Sequence, residues 1–188
     1  NLVCSGAGGG ASPIGMDLGQ TDSPSTSTGG EWGVYGTHIL NCATGVSMWN
    51  NSVMQWYGVM EQGTGLNSGT GLIIDGNNTS PHPAGSTIGG SINNFSTGVQ
   101  IQGTAQDITL IGTVGNSSTV AVSLGGSASN VKILGSLPSS NAAQLSASGT
   151  QLSSALIMTS SNYAGSGGVA IGSQIPTDLT IPQESKPT

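Results

Sequence analysis

Short runs in which apolar and polar residues alternate recur through the middle of the chain, with glycine-rich turns between them. One pair of runs covers 98–103 and 107–112, and a second pair covers 122–126 and 130–135. Equivalent positions differ by a constant amount, since 122 − 99, 131 − 108 and 135 − 112 all equal 23. Alternation with period two is the pattern of a half-buried strand. A fixed repeat of this length is typical of a solenoid, so the pattern predicts short strands stacked coil on coil.

Within each coil, alternate residues should fill a thin interior and the residues between them should face solvent. The expected interior residues are Val99, Ile101, Ile108 and Leu110, and one coil further Val122, Leu124, Val131 and Ile133. The expected outward residues are Gln100, Gln102, Ser123 and Lys132. Asp107 and Asn130 hold matching positions just before a strand, where a short polar side chain can bond the backbone of a bend.

An earlier copy of the repeat contains most of the aromatic residues. The stretch 39–48 aligns with 92–101 at a shift of 53, because 92 − 39 equals 53. Allowing one inserted residue, Met54 and Trp56 match Ile108 and Leu110. The alignment therefore predicts that Met48, Met54 and Trp56 point inward and that Trp49 points outward.

The repeated Gly-Val-x-Ile-x-Gly and Asn-Val-x-Ile-x-Gly runs resemble coils of the right-handed parallel β-helix in the pectate-lyase-like superfamily. Three further stretches, 3–26, 34–52 and 63–69, are similar to β-helix domains of phage and prophage tailspikes. The expected fold is all-β: a right-handed parallel β-helix over 1–160, a solenoid of seven or eight coils of about 23 residues. Residues 161–188 are expected to form a C-terminal cap or an extended tail, and the resemblance implies a homotrimer.

The resemblance also implies a function. A tailspike-like or tail-fibre-like protein would recognise a bacterial surface polysaccharide, would lie on the virion tail or outside the cell, and would contact other virion tail proteins. One alternative is an active polysaccharide depolymerase that uses a carboxylate pair. A second alternative is a structural fibre or adhesin segment without catalysis. Thr70 follows Asn67-Ser68-Gly69 in this chain, where many relatives carry glutamate.

Two sets of residues are candidates for saccharide chemistry. Trp49, Tyr57, Trp32 and Tyr35 offer flat apolar faces for sugar rings, and the alternative is that several of them pack under the loop 21–30. Glycoside hydrolysis requires two carboxyl groups about 5–9.5 Å apart. Stacked coils place matching residues about 4.8 or 9.6 Å apart. Glu61 and Asp75 are the favoured catalytic pair because both flank glycine-rich turns near the insertion 77–85; the alternative is that they are ordinary solvated carboxylates.

Composition excludes several classes of function for a chain of 188 residues, which has room for one domain. Its net charge is −6 with two lysines and no arginine, so a nucleic-acid interface built on clustered cations is not expected. No apolar run approaches the ~20 residues of a spanning helix, so membrane insertion is not expected. No metal or cofactor motif stands out. Cys4 and Cys42 are interpreted as two buried thiols rather than as a disulfide.

Overall fold

A computed structural model describes residues 1–4, 14–18, 30–49, 53–62, 68–76, 85–138, 140–143, 145–147 and 156–157. These residues form fourteen β-strands and contain no helix. The strands are β1 Leu2–Val3, β2 Ile14–Leu18, β3 Glu31–Leu40, β4 Thr44–Trp49, β5 Val53–Glu61, β6 Thr70–Asp75, β7 Thr87–Asn93, β8 Thr97–Gln102, β9 Thr109–Leu110, β10 Thr113–Gly115, β11 Val120–Leu124, β12 Lys132–Ile133, β13 Leu145–Ser146 and β14 Leu156–Ile157.

The strands make two parallel sheets that the chain visits alternately. Sheet A has the order β1-β3-β5-β7-β9-β12-β14, with β10 also pairing with β7. Sheet B has the order β13-β11-β8-β6-β4-β2. Each strand lies next to the strand one coil away rather than next to its neighbour in sequence. The fold is therefore the predicted parallel β-solenoid.

The strand register confirms the 23-residue repeat where it was found. Val122 pairs with Val99, and Ile133 pairs with Leu110. All eight residues expected in the interior are buried. The 53-residue shift also holds, but it spans two coils, because Thr70 pairs with both Thr44 and Thr97.

The number of coils differs from the expectation of seven or eight. The residues that the structure describes make about four turns, and short strands such as β1 and β14 extend the stack at both ends. Coil length is not uniform, because the corners between strands differ in length. Met60 pairs with Ile92, a step of 92 − 60 = 32 residues, whereas Leu110 to Ile133 is 23. The expected cap or tail at 161–188 lies outside the described residues, as does most of the insertion 77–85.

The interior is a continuous apolar column contributed by both sheets. Met48, Met54 and Trp56 all point into it and are fully buried, as the alignment predicts. The corner that follows sheet A adds Cys42 and Phe95. Such a column buries every coil against two neighbours, so each coil depends on the next for its stability.

Asparagine residues shape the corners of the coils. Asn41, Asn94 and Asn116 follow sheet A strands with positive φ angles of 58°, 64° and 54°. Asp107 and Asn130, which lie just before β9 and β12, also have positive φ angles, of 56° and 50°. Asn and Asp tolerate this left-handed conformation better than other residues with side chains. Asp107 and Asn130 therefore both lie at a bend, as expected, and the Asn130 amide donates a hydrogen bond to the Asp107 carboxylate one coil away. This contact joins two side chains rather than a side chain and the backbone of the bend.

The interpretation of Cys4 and Cys42 as separate thiols is wrong, because the two residues form a disulfide. Val3 pairs with Leu40, which places Cys4 beside the corner that contains Cys42. Their Cα atoms are 4.9 Å apart, within the range that a disulfide spans. The sequence separation of 38 residues concealed this proximity, because only the β1–β3 pairing brings the residues together.

Candidate functional site

The outward face of sheet A carries a row of apolar side chains that runs along the solenoid axis. Tyr35 pairs with Tyr57, and Tyr57 pairs with Gly89. The next two coils place Ile111 and Leu134 in the same row, one position beyond the paired residues Leu110 and Ile133. All four side chains in this outer row are exposed. Exposed, aligned apolar side chains of this kind mark an interaction surface more often than an isolated exposed residue does.

The two tyrosines in the outer row stack on each other. Their ring centroids are 5.7 Å apart and the rings are nearly parallel, at 6°. Gly89 makes this possible, because a Cβ atom there would meet the Tyr57 ring at 2.5 Å. Tyr57 therefore leans over the Gly89 backbone, and Tyr35 covers Tyr57. Tyr35 remains 67% exposed, so an aromatic surface is presented to solvent.

An open cleft of about 470 Å³ lies beside the tyrosine stack. Its described lining residues are Glu31, Trp32, Gly33, Val53 and Gln55. The cleft adjoins the stack, because a Cβ atom on Gly33 would be 3.0 Å from the Tyr35 ring. The volume falls within the ~300–1,000 Å³ typical of small-ligand sites.

Trp32 is exposed at this cleft although its register position belongs to the interior. It pairs with Met54, which is fully buried. Among the described residues, however, β1 pairs with β3 only at Ile39 and Leu40. The Trp32 indole is therefore 42% exposed. An exposed tryptophan at the mouth of an open cleft is suited to stacking on a sugar ring, because the indole and the sugar ring each offer a flat apolar face.

Glu61 and His38 are joined by a hydrogen bond on the same outward face, farther along β3 and β5. The His38 Nε2 atom lies 3.2 Å from Glu61 Oε1. Both side chains are about one third exposed, at 34% and 39%. His38 is in register with Val59, so it meets Glu61 diagonally, two positions farther along β5. The coil step here is 59 − 38 = 21 residues rather than 23, so the repeat found in the sequence could not have predicted the pair.

Asp75 lies elsewhere, at the end of β6 in sheet B. Its side chain is buried, at 7% exposure. The Gln102 amide donates a hydrogen bond to Asp75 Oδ2, and the Gln100 amide donates to Gln102 Oε1. This network holds the carboxylate in a ladder of polar side chains between coils.

The structure does not bring Glu61 and Asp75 together. Glu61 ends β5 at the corner before β6, and Asp75 is at the opposite end of β6. Five steps along a strand, from Thr70 to Asp75, cover roughly 16 Å. A glycosidase pair requires roughly 5–9.5 Å, so this arrangement does not favour joint catalysis.

The four aromatic candidates divide between the two sheets. Tyr35 and Tyr57 lie on the outward face of sheet A, and Trp32 holds an interior register position on the same sheet, at the cleft. Trp49 ends β4 in sheet B, where it pairs with Asp75. Trp49 holds the outward register position that the alignment predicted but is half-buried, and its Nε1 atom has no hydrogen-bond partner. The loop 21–30, under which several of these residues were expected to pack as the alternative, lies outside the described residues except for Gly30.

Sequence reasoning missed Glu31, Gln55 and His38 as members of the sheet A surface. The alternation in 53–57 could have indicated Gln55, because Met54 and Trp56 on either side were already assigned to the interior. In the described part of the chain, no group of three or more His, Cys, Asp or Glu residues could hold a metal ion. The described residues also include no helix that is long and apolar enough to cross a membrane.

No protein-family model, no curated protein and no solved structure matches this chain. The class of protein is therefore defined by the fold and the surface. The chain forms a parallel β-solenoid, a fold compatible with tailspike-like, fibre-like or polysaccharide-binding proteins. Its sheet A presents stacked tyrosines, an exposed tryptophan and polar side chains.

Proposed function

We propose that this chain is the β-solenoid part of a phage or prophage tailspike-like or tail-fibre-like protein that recognises a bacterial surface polysaccharide. The observation that supports recognition is the stacked pair of Tyr35 and Tyr57 beside the Trp32 cleft. Sugar rings bind to such surfaces through their apolar faces, and nearby polar side chains select their hydroxyl groups. Gln55 and Glu31 supply those polar groups at the cleft.

An extracellular or virion location is part of the proposal. The Cys4–Cys42 disulfide supports it, because disulfides persist mainly outside the reducing cytosol. The proposal also includes a homotrimer. Ile111 and Leu134, each 43% exposed in adjacent coils, supply apolar surface that subunit contacts would bury. They lie three and four coils from Tyr35, so a contact there would leave the tyrosine stack accessible.

A binding assay with surface polysaccharides from candidate bacterial hosts tests recognition. The double variant Tyr35→Ala/Tyr57→Ala should reduce affinity at least tenfold without a large change in the melting temperature. The matched control Ile111→Ala/Leu134→Ala removes apolar area from the same row, and its affinity per subunit for a short oligosaccharide, which engages one subunit at a time, should be unchanged. Equal binding by the wild type and the tyrosine variant would contradict the proposed surface. Absence of binding across a broad panel would favour the structural fibre or adhesin segment.

Depolymerisation is the second candidate function, and the His38–Glu61 pair is the observation that favours it. The contact with His38 orients the Glu61 carboxylate on the same outward face as the tyrosine stack. The same polysaccharides should be examined for shortened chains. Cleavage lost in Glu61→Gln but retained in Asp75→Asn would identify a depolymerase centred on Glu61. Cleavage lost only in Asp75→Asn would indicate that the catalytic site lies on sheet B.

A further inference from the structure

We infer that the cleft lined by Glu31, Trp32 and Gln55 selects glycans without acidic groups, an inference that rests on the proposed polysaccharide recognition. Glu31 is the charged side chain among the described residues that line the cleft. Its carboxylate can accept hydrogen bonds from sugar hydroxyl groups, and the Gln55 amide can donate and accept them. A uronate, sulfate or phosphate group in the same cleft would instead place like charges close together.

Lys132, the lysine that the structure describes, is poorly placed to offset this repulsion. The chain has no arginine and only two lysines, Lys132 and Lys186. Gln55, Thr87, Thr109 and Lys132 form one column across sheet A. Lys132 is therefore three coils from Gln55, roughly 14 Å at about 4.8 Å per coil. That distance exceeds the ~8 Å Debye length at physiological ionic strength, and Lys186 lies outside the described residues.

The remaining charged groups on this face do not favour an anion either. His38 is already paired with Glu61, and it lies seven positions from Glu31 along β3. The pair contributes no free positive charge to the cleft. The whole chain carries a formal charge of −6, so long-range steering also disfavours a polyanionic chain. Aromatic stacking on Trp32 and Tyr35, by contrast, requires no charge on the sugar.

The test compares one polymer with and without its charge. Surface polysaccharides that contain uronic acid are purified, and part of each preparation is carboxyl-reduced, which converts every uronate into a neutral hexose. Binding of the full chain to both forms is measured at low salt (150 mM NaCl), where the Debye length is about 8 Å, and at high salt (1 M NaCl), where it is about 3 Å. We expect the reduced form to bind roughly three- to tenfold more tightly at low salt, the range that two like charges about 4 Å apart produce in well-hydrated surroundings such as an open cleft. The difference should shrink at high salt.

Three variants connect this discrimination to the cleft. Glu31→Gln should narrow the difference between the two forms, and Gln55→Glu should widen it by adding a second carboxylate. Lys132→Gln is the control, because it changes the charge of the same face by one unit three coils from Gln55, roughly 14 Å away at about 4.8 Å per coil; it should leave the difference unchanged. Tighter binding of the acidic form, or discrimination that is insensitive to Glu31 and Gln55, would overturn the inference while leaving glycan recognition intact. If neither form of any polymer binds, the proposed recognition of polysaccharides is itself wrong.

Discussion

A Cβ atom on Gly112 would collide with the carbonyl oxygen of Gly90 in the adjacent coil. The same relation recurs along sheet A, where Gly90 meets Gly58 and Gly135 meets Gly112. The backbones of four coils thus approach too closely at this column for any side chain. Gly112→Ala should lower the free energy of unfolding by about 3 kcal/mol, because backbone cannot move aside as a flexible side chain can. Urea denaturation measures this loss.

Gly125→Ala is the matched control for this collision. A Cβ atom on Gly125 would contact only the Gln102 side chain, at 3.8 Å. The control should change the free energy of unfolding by less than about 1 kcal/mol. Equal stability of the two variants would show that the column of glycines is not closely packed.

Ile108→Asp should prevent folding. Ile108 is fully buried in the apolar interior, and a carboxylate there would have no partner and no access to water. Circular dichroism and solubility measure the effect. Thr109→Asp, one position away on the outward face and in register with Lys132, should fold normally. A soluble Ile108→Asp variant with a cooperative melting transition would refute the strand register.

Much of the fold could be predicted because the repeat is local and regular between 92 and 135. Alternation assigns Val99 and Ile108 to the interior, and the constant shift sets their neighbours in the next coil. The copy that begins at Thr70-Gly71-Leu72 was not recognised, because the corner before it lengthens the coil and breaks the constant spacing. The alternation of apolar and polar residues predicts the strands accurately. It does not predict the lengths of the corners, because these depend on tertiary packing.

The candidate site was only partly predictable for the same reason. Tyr35 and Tyr57 follow from alternation as outward residues, whereas their stacking depends on Gly89 in a third coil. Glu61 and Asp75 both flank turns, but the turns lie at opposite corners of the coil. Sequence proximity to a turn does not show which corner the turn forms.

Reduction of the Cys4–Cys42 disulfide should destabilise the protein by about 3 kcal/mol. The bond closes a loop of 38 residues, and it restricts the unfolded chain more than the folded one. Urea denaturation with and without dithiothreitol measures the difference. The double variant Cys4→Ser/Cys42→Ser should match the reduced wild type and should not respond to the reductant. A response of that variant would point to an effect unrelated to the disulfide.

Replacement of the two tryptophans by alanine should have different consequences. Trp56 is fully buried and fills the interior, so Trp56→Ala should cost about 3–5 kcal/mol in the free energy of unfolding. Trp49 is half-buried at an outward position, and Trp49→Ala should cost only about 1–2 kcal/mol. Thermal unfolding followed by circular dichroism distinguishes them. A loss at Trp49 as large as the loss at Trp56 would place Trp49 in the core.

The subunits of the proposed homotrimer should contact one another through the far end of the outer row. Ile111 and Leu134 are aligned in adjacent coils and exposed to the same extent, 43% each. Light scattering should give three times the monomer mass for the wild type, as the proposed homotrimer requires. Ile111→Glu/Leu134→Glu should give the monomer mass, because a carboxylate buried at a subunit contact loses its hydration without gaining a partner. Tyr35→Ala, in the same row but three coils away from Ile111, should remain trimeric. A monomeric wild type would reject the trimer, and a trimeric Ile111→Glu/Leu134→Glu variant would place the subunit contacts elsewhere.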